Sequence, residues 1–86
     1  MKVCLGSILQ GYAFGKSEVT ASGSTIAQVL NSLDEQYPGL RFRVVDEQDR
    51  IRPHIHVHCN DEMVRDLSRK VKDSDTLHIL GALSGG

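Results

Sequence analysis

Hydrophobic and polar positions follow two different periods along the chain, and each predicts a different element. Alternation at every second residue is typical of a strand with one buried face, whereas spacing of three and four residues is typical of a helix. Apolar or alternating segments predict strands over residues 2–9, 16–21, 53–59 and 76–80, with a brief strand at residues 63–64. One long helical pattern separates the second strand from the third.

The helical pattern begins after Thr25 and ends at Pro38-Gly39. Its apolar positions would line one helical face: Ile26, Val29, Leu30, Leu33 and Tyr37. Thr25 is suited to the N-cap, and Gln28 follows three residues later, as a capping box requires. Proline and glycine are predicted to stop the helix.

Polar segments connect these elements. Residues 43–52 are rich in charged side chains and are predicted to form an exposed loop with a short strand. Turns are predicted at residues 60–61 and 72–75, because Asn, Asp and Ser favour them. Leu67 and Val71 are expected to pack between these turns. The order β-β-α-β-β predicts an α+β fold.

Composition narrows the class of function. A chain of 86 residues supports one hydrophobic core, so one domain is expected. Ten basic and eleven acidic residues leave a net charge of −1, so neither nucleic acid nor a membrane surface is an expected partner. Cys4 and Cys59 lie in apolar runs and are predicted to be reduced core residues. A cytoplasmic location is expected because the N-terminal segment lacks the pattern of an export signal.

Histidines occupy alternate positions in the third predicted strand. His54, His56 and His58 would share one face, opposite the apolar side chains of the same strand. If the last strand pairs with this one, His78 would lie on the same side. Neutral imidazole is a common ligand for zinc, nickel or copper. Two interpretations stay open: a metal site, and a histidine surface that contacts solvent or a partner.

Four segments carry a resemblance to a known family. Residues 57–62 look like the strand and turn V-x-V-N-[GD]-E, and residues 73–77 look like the turn D-G-D-x-V. Residues 82–86 resemble the terminal A-[VL]-[AS]-G-G, and residues 21–26 resemble S-G-x-T-[LI] before a helix. The chain therefore resembles the ThiS/MoaD-type sulfur carriers, especially the branch that supplies sulfur for cysteine biosynthesis.

This resemblance implies a ubiquitin-like β-grasp fold. Residues 76–80 are also similar to the segment TLHLV that precedes the terminal glycines of ubiquitin. The expected architecture is a mixed sheet of four to five strands packed on one main helix. Residues 1–80 would form this domain, and residues 81–86 would form a flexible tail that ends in Gly85-Gly86. Gly81 stands where many relatives have proline.

The resemblance also implies that Gly86 carries the chemistry. An E1-like adenylating enzyme would use ATP to form an acyl-adenylate on its carboxylate. Sulfur from a cysteine desulfurase, a rhodanese or sulfide would then give a thiocarboxylate, which donates sulfur to a biosynthetic enzyme. Because glycine has no Cβ, Gly85 and Gly86 can enter a narrow channel. The chain would be a carrier without a cofactor of its own, not an enzyme.

The resemblance is less specific about the partner and the pathway. Leu80, Leu83, His78 and Ala82 are expected to contact the adenylating enzyme. Sulfur amino-acid formation is favoured over molybdopterin, thiamine or tRNA thiolation. Two alternatives remain: a protein modifier that forms isopeptide bonds through Gly86, and a domain whose histidines bind metal or a partner while the tail is passive.

Overall fold

A mixed sheet of five strands forms the frame of the protein, and the computed structural model describes residues 1–81. The strands are β1 (Lys2–Leu5), β2 (Glu18–Thr20), β3 (Ile55–Cys59), β4 (Glu62–Val64) and β5 (Thr76–Gly81), in the spatial order β2-β1-β5-β3-β4. The helices are α1 (Ser7–Gln10), a 3-10 turn (Gly11–Ala13), α2 (Ile26–Gln36) and α3 (Leu40–Val44). No helix within these residues has the length and apolar character needed to cross a bilayer.

The last strand lies at the centre of the sheet. It runs parallel to β1, where Val3 is opposite Leu77, and antiparallel to β3, where Val57 is opposite Ile79. A parallel pair needs a long crossover, and here most of the chain lies between β1 and β5. The predicted pairing of the last strand with the histidine-bearing strand is confirmed, as is the α+β class.

Helix α2 begins and ends where the sequence predicts. The Thr25 Oγ1 accepts a hydrogen bond from the Gln28 backbone N–H at 3.2 Å, and the Gln28 side chain in turn accepts from the Ser24 backbone N–H at 2.8 Å. The first bond satisfies a backbone donor that the first helical turn leaves free, and the second holds the residue just before the N-cap. The helix ends at Gln36, before Pro38-Gly39.

The core lies between α2 and one face of the sheet. The helix contributes Ile26, Val29, Leu30 and Leu33, each with no exposed surface. The strands contribute alternate side chains, among them Val3, Leu5, Val57, Leu77 and Ile79. No polar or charged residue of the described chain is buried. Burial of apolar surface is therefore the main source of stability.

The two cysteines lie on opposite faces of the sheet. Cys59 is 2% exposed and belongs to the core, as predicted. Cys4 is half-buried on the other face, so the prediction of a core position for it is wrong. The reason is the strand period, since Cys4 alternates with the buried Val3 and Leu5. Both thiols are free.

The first strand is shorter than predicted. It ends at Leu5, so the prediction of a strand through residue 9 is wrong. The Gly6 N–H still donates to the Ile79 carbonyl at 2.9 Å, after which the chain leaves the sheet. One turn of α1 then buries Leu9, and the Gln10 side chain donates to the Leu5 carbonyl at 3.0 Å.

A short helix occupies the start of the segment predicted as a loop. Helix α3 follows Gly39, whose φ of 96° is a left-handed conformation that glycine adopts without strain. Leu40 and Val44 lie one turn apart on its buried face. The prediction of a loop from residue 43 is therefore corrected, and the short strand reduces to a single bridge between Val45 and Ile51.

Strand β3 begins two residues later than predicted. The Ile55 N–H donates to the Arg52 carbonyl at 2.9 Å and closes a turn before the ladder starts. His54 lies in this turn and not in the strand. It is therefore not aligned with His56 and His58, and the prediction of three histidines on one strand face is wrong.

A hydrogen-bonded network closes the predicted turn before β5. The Asp75 carboxylate accepts from the Lys72 backbone N–H at 2.8 Å and from the Asn60 side-chain amide at 3.1 Å. The Asn60 side-chain oxygen accepts in turn from the Thr76 N–H at 3.0 Å. The Lys72 bond first, and then the Asn60 bond, hold the pKa of Asp75 below its ordinary value of 3.8.

Stability should depend on the charge of Asp75. Because its pKa is lower in the folded protein, its contribution is fully present above pH 3.8 and is lost as the pH falls through the folded-state value. We expect Asp75→Asn to lower the urea midpoint at neutral pH and to reduce the further loss between about pH 5 and about pH 2. Equal pH dependence in the variant and the wild type would contradict this assignment.

Candidate functional site

The predicted reactive residues follow directly after the central strand. Gly85 and Gly86, together with the predicted contact residues Ala82 and Leu83, lie outside the described residues. The described chain ends at Gly81, which is the last residue of β5. The structure therefore defines the base from which the terminal segment starts.

Tight packing surrounds this base. Gly81 pairs with Ile55 on β3, and a Cβ added to Gly81 would overlap the Cδ1 atom of Ile8. A Cβ added to Gly6 would lie 3.3 Å from the Leu80 Cα. Two glycines thus allow α1 to pack against the end of β5. The sequence did not predict this contact, because residues 7–9 resemble a continuation of the first strand.

The open face of the sheet carries the histidines. His58 lies directly opposite His78, and His56 lies directly opposite Leu80. The predicted position of His78 beside the β3 histidines is confirmed. Leu80 is 42% exposed on this face, and Met63, opposite His58 on β4, is 47% exposed. The face thus joins exposed apolar side chains to half-buried imidazoles beside the last strand.

The histidine geometry does not assemble a metal site. Within residues 1–81, no three His, Cys, Asp or Glu side chains come together so that they could share a metal ion. His54 instead lines a separate cleft with Tyr12 and Arg43. The Nδ1 atom of His56 is buried and has no hydrogen-bond partner in the described chain. The arrangement of His56, His58 and His78 fits the alternative of a histidine surface better.

The cysteines differ in their surroundings. Burial, and then the Asp75 carboxylate, raise the pKa of the Cys59 thiol, which favours the less nucleophilic protonated form. Cys4 lies on the open face between Glu18 of β2 and His78 of β5. The core position of Cys59 agrees with a packing role.

Comparison with known proteins identifies the family. The model of the ThiS family matches residues 8–86, which include both terminal glycines. The chain belongs to the ThiS family. A curated relative, the sulfur carrier protein CysO of Mycobacterium tuberculosis, is 33% identical over 89 residues, covering 98% of this chain and 96% of the relative.

Solved structures show the same fold. A chain of the Amycolatopsis orientalis BexX/CysO complex superposes with a TM-score of 0.91 at 35% identity, covering 99% of this chain and 98% of that one. The small archaeal modifier protein 1 of Methanosarcina acetivorans superposes with a TM-score of 0.82 at 32% identity, covering 99% and 94%. These matches confirm the predicted ubiquitin-like β-grasp fold.

The relatives also bear on the class of function. The matched curated relatives are named sulfur carriers, which supports the prediction that the chain is a carrier and not an enzyme. The predicted family is confirmed. The roles of Gly85, Gly86, Leu80, Leu83, His78 and Ala82 stay predictions.

The close contact between Gly81 and Ile8 leads to a testable prediction about stability. We expect Gly81→Ala to lower the free energy of unfolding by about 1 kcal/mol, because the new methyl group displaces Ile8. In an Ile8→Ala background the space is free, and the same substitution should have little effect. Urea unfolding of the four proteins measures this difference. Equal losses in both backgrounds would show that Ile8 is not the cause.

Proposed function

We propose that this ThiS-family chain is a sulfur carrier whose working group is the carboxylate of Gly86. The observation that carries the proposal is the family match, which extends over residues 8–86 and so includes the terminal Gly85-Gly86. The relatives named as sulfur carriers support the same role. The tail expected from residue 81 is proposed to begin after Gly81, because Gly81 is itself the last residue of β5.

The chemistry begins with activation of the carboxylate. A carboxylate is a poor acyl donor, so an E1-like enzyme transfers AMP from ATP to the Gly86 carboxylate and releases pyrophosphate. Sulfide then attacks the acyl carbon, the bond to AMP breaks, and a thiocarboxylate remains. A persulfide from a cysteine desulfurase or a rhodanese can replace sulfide if a thiol then cleaves the acyl disulfide. The thiocarboxylate finally donates its sulfur to a biosynthetic enzyme.

The fold supplies two things to this chemistry. The first is a rigid attachment, because β5 hydrogen-bonds on both sides and buries Leu77 and Ile79. The second is a surface for docking next to the tail, formed by His78 and Leu80 on the open face. Ala82 and Leu83 are proposed to extend this surface into the tail. ATP belongs to the partner, and no metal is required in the carrier.

Cysteine biosynthesis is the favoured pathway. The motif at residues 21–26 resembles that branch, and the curated relatives are named CysO. The BexX/CysO complex shows a similar chain crystallised with another protein, which supports a protein partner in general. The sulfur donor and the acceptor enzyme are proposals by analogy.

Protein modification is the second candidate function. The similarity to small archaeal modifier protein 1 favours it, at 32% identity. Both functions would begin with the Gly86 adenylate, but the acceptor would be a lysine amine instead of sulfide. Conjugates of high mass that require Gly86 would identify this function. The sulfur-carrier names of the curated relatives make it the weaker candidate.

Removal of Gly86 tests the proposed reactive group. The wild-type chain, incubated with an E1-like enzyme, ATP and sulfide, should gain the mass that corresponds to replacement of one oxygen by sulfur. Deletion of Gly86 should abolish this gain without changing the unfolding midpoint. Intact-protein mass spectrometry measures the first and urea unfolding the second. Failure of every E1-like enzyme from the same source to modify the wild type would disprove the proposal.

A charge on the open face tests the docking surface. Leu80 is exposed, so Leu80→Glu should leave the fold intact, but it should raise the KM for the carrier in adenylation by about tenfold with little change in kcat. Met63→Glu is the matched control, because Met63 has similar exposure but lies two strands away, on β4. Equal KM values for the Leu80 variant and the wild type would rule out docking at this position.

A further inference from the structure

A small cleft lies beside the point where the described chain ends. It has a volume of about 130 Å³ and is lined by Ile8, Leu9, Tyr12, Arg43, His54 and Ile55. Gly81 contacts two of these residues, because it pairs with Ile55 and packs against Ile8. The cleft and the start of the terminal segment therefore belong to one surface.

Aromatic rings hold two arginines here: Arg43, which lines the cleft, and Arg52, whose backbone carbonyl accepts from the N–H of the cleft residue Ile55. The Arg43 guanidinium lies 5.0 Å from the centroid of the Tyr12 ring, and its Nε donates to the Tyr12 hydroxyl. The Arg52 guanidinium lies 4.6 Å from the centroid of the Phe42 ring, and its Nε donates to the Phe42 carbonyl at 2.8 Å. Stacking and the Nε bond orient each guanidinium, while its terminal NH₂ groups can still bind a planar anion.

The same helix connects the two pairs. Phe42 and Arg43 are neighbours in α3, and the Arg52 backbone N–H donates to the Val44 carbonyl at 2.9 Å. This bond holds the segment around Arg52 against the end of α3. The two arginines, 43 and 52, thus belong to one local unit beside the cleft.

These two positive charges have no carboxylate partner within the described chain. Three other arginines are paired there: Arg41 with Asp49 at 2.8 Å, Arg69 with Glu62 at 2.7 Å, and Arg50 with Asp46 at 3.9 Å. Arg65 is not paired within residues 1–81, but it lies away from the cleft. Among residues 1–81, no carboxylate lies within 4.0 Å of the guanidinium of Arg43 or of Arg52. On a chain with a net charge of −1, both guanidiniums are thus free of contact ion pairs, although the Arg50 backbone hydrogen bond and, to a lesser degree, the Arg52 charge lower the pKa of Asp46.

The length of the terminal segment limits where a partner can lie. Five residues follow Gly81, and five extended residues span at most about 17 Å. Any protein that reacts with Gly86 must therefore hold its reactive site within that distance of Gly81. The cleft lies within the same range, because Gly81 contacts its residues Ile8 and Ile55.

We propose that Arg43 and Arg52 form a docking surface for an acidic segment, rich in Asp or Glu, of the E1-like enzyme that adenylates Gly86. The inference rests on the proposed function, because it assumes that the tail enters this enzyme. Charge complementarity identifies the chemistry of the partner, since an oriented guanidinium binds a carboxylate through two parallel hydrogen bonds. Contact near the tail would increase the rate of productive encounter and so lower KM.

Steady-state adenylation, followed by release of pyrophosphate, tests this surface. We expect the double variant Arg43→Gln/Arg52→Gln to raise the KM for the carrier by about tenfold with kcat unchanged. The wild-type KM should rise with salt, and that of the variant should depend less on salt. The Arg43→Lys/Arg52→Lys variant keeps the charges but loses the oriented guanidiniums, so its KM should be intermediate.

A second double variant controls for total charge. Arg65→Gln/Lys70→Gln removes the same charge at exposed positions that also have no carboxylate within 4.0 Å in residues 1–81. Arg65 lines a different groove, with Thr25 and Leu67. The KM of this control should stay within about twofold of the wild-type value.

The outcomes separate this inference from the proposed function. If the wild type is adenylated and the Arg43/Arg52 variant has the same KM, or if the control raises KM equally, the docking surface is disproved while the carrier function stands. The same holds if the wild-type KM does not respond to salt, which tests the inference even if the variant fails to fold. A wild type that no E1-like enzyme adenylates disproves both.

Discussion

The pairing of β5 with both β1 and β3 is the interaction on which the rest of the structure depends. It joins the first strand to the last, so Leu77 and Ile79 can enter a core that α2 closes from one side. Because β5 is hydrogen-bonded on both sides, it does not share the tendency of an edge strand to fray. The terminal segment therefore starts from the interior of the sheet, at a fixed position relative to the open face. The proposed reactive group, the Gly86 carboxylate, is thereby attached to a fixed point of the sheet.

Alternate side chains along each strand point to opposite faces of the sheet, so core residues and open-face residues are kept apart. On β3, Val57 and Cys59 point into the core while His56 and His58 point away from it, and β5 repeats the division. A side chain can then change on the open face without loss of core packing, whereas a shift in register by one residue would exchange the faces.

The sequence predicted those parts of the structure that depend on local pattern. The capped helix α2, the turn at Asp75 and the alternation of β3 follow from spacing over a few residues. Helices α1 and α3 were missed, because four or five residues show too little period and tertiary contacts of Leu9 and Val44 decide their conformation. The contact between the Arg43 guanidinium and the Tyr12 ring beside the cleft could not be predicted either, since the two residues are 31 positions apart in the sequence. Long-range contact, and not propensity, explains each of these failures.

The resolved pKa shifts of the described chain arise from its own folded structure. Asp46, Asp66 and Asp75 have lowered pKa values, and in each case hydrogen bonds within a surface turn are the largest cause. The Cys59 thiol is shifted the other way, mainly by burial. Hydrogen bonds and burial that accompany folding explain each of these shifts. Under the proposed function, such a chain offers a stable core, an open face and a chain end, and the groups that activate that end come from the E1-like enzyme.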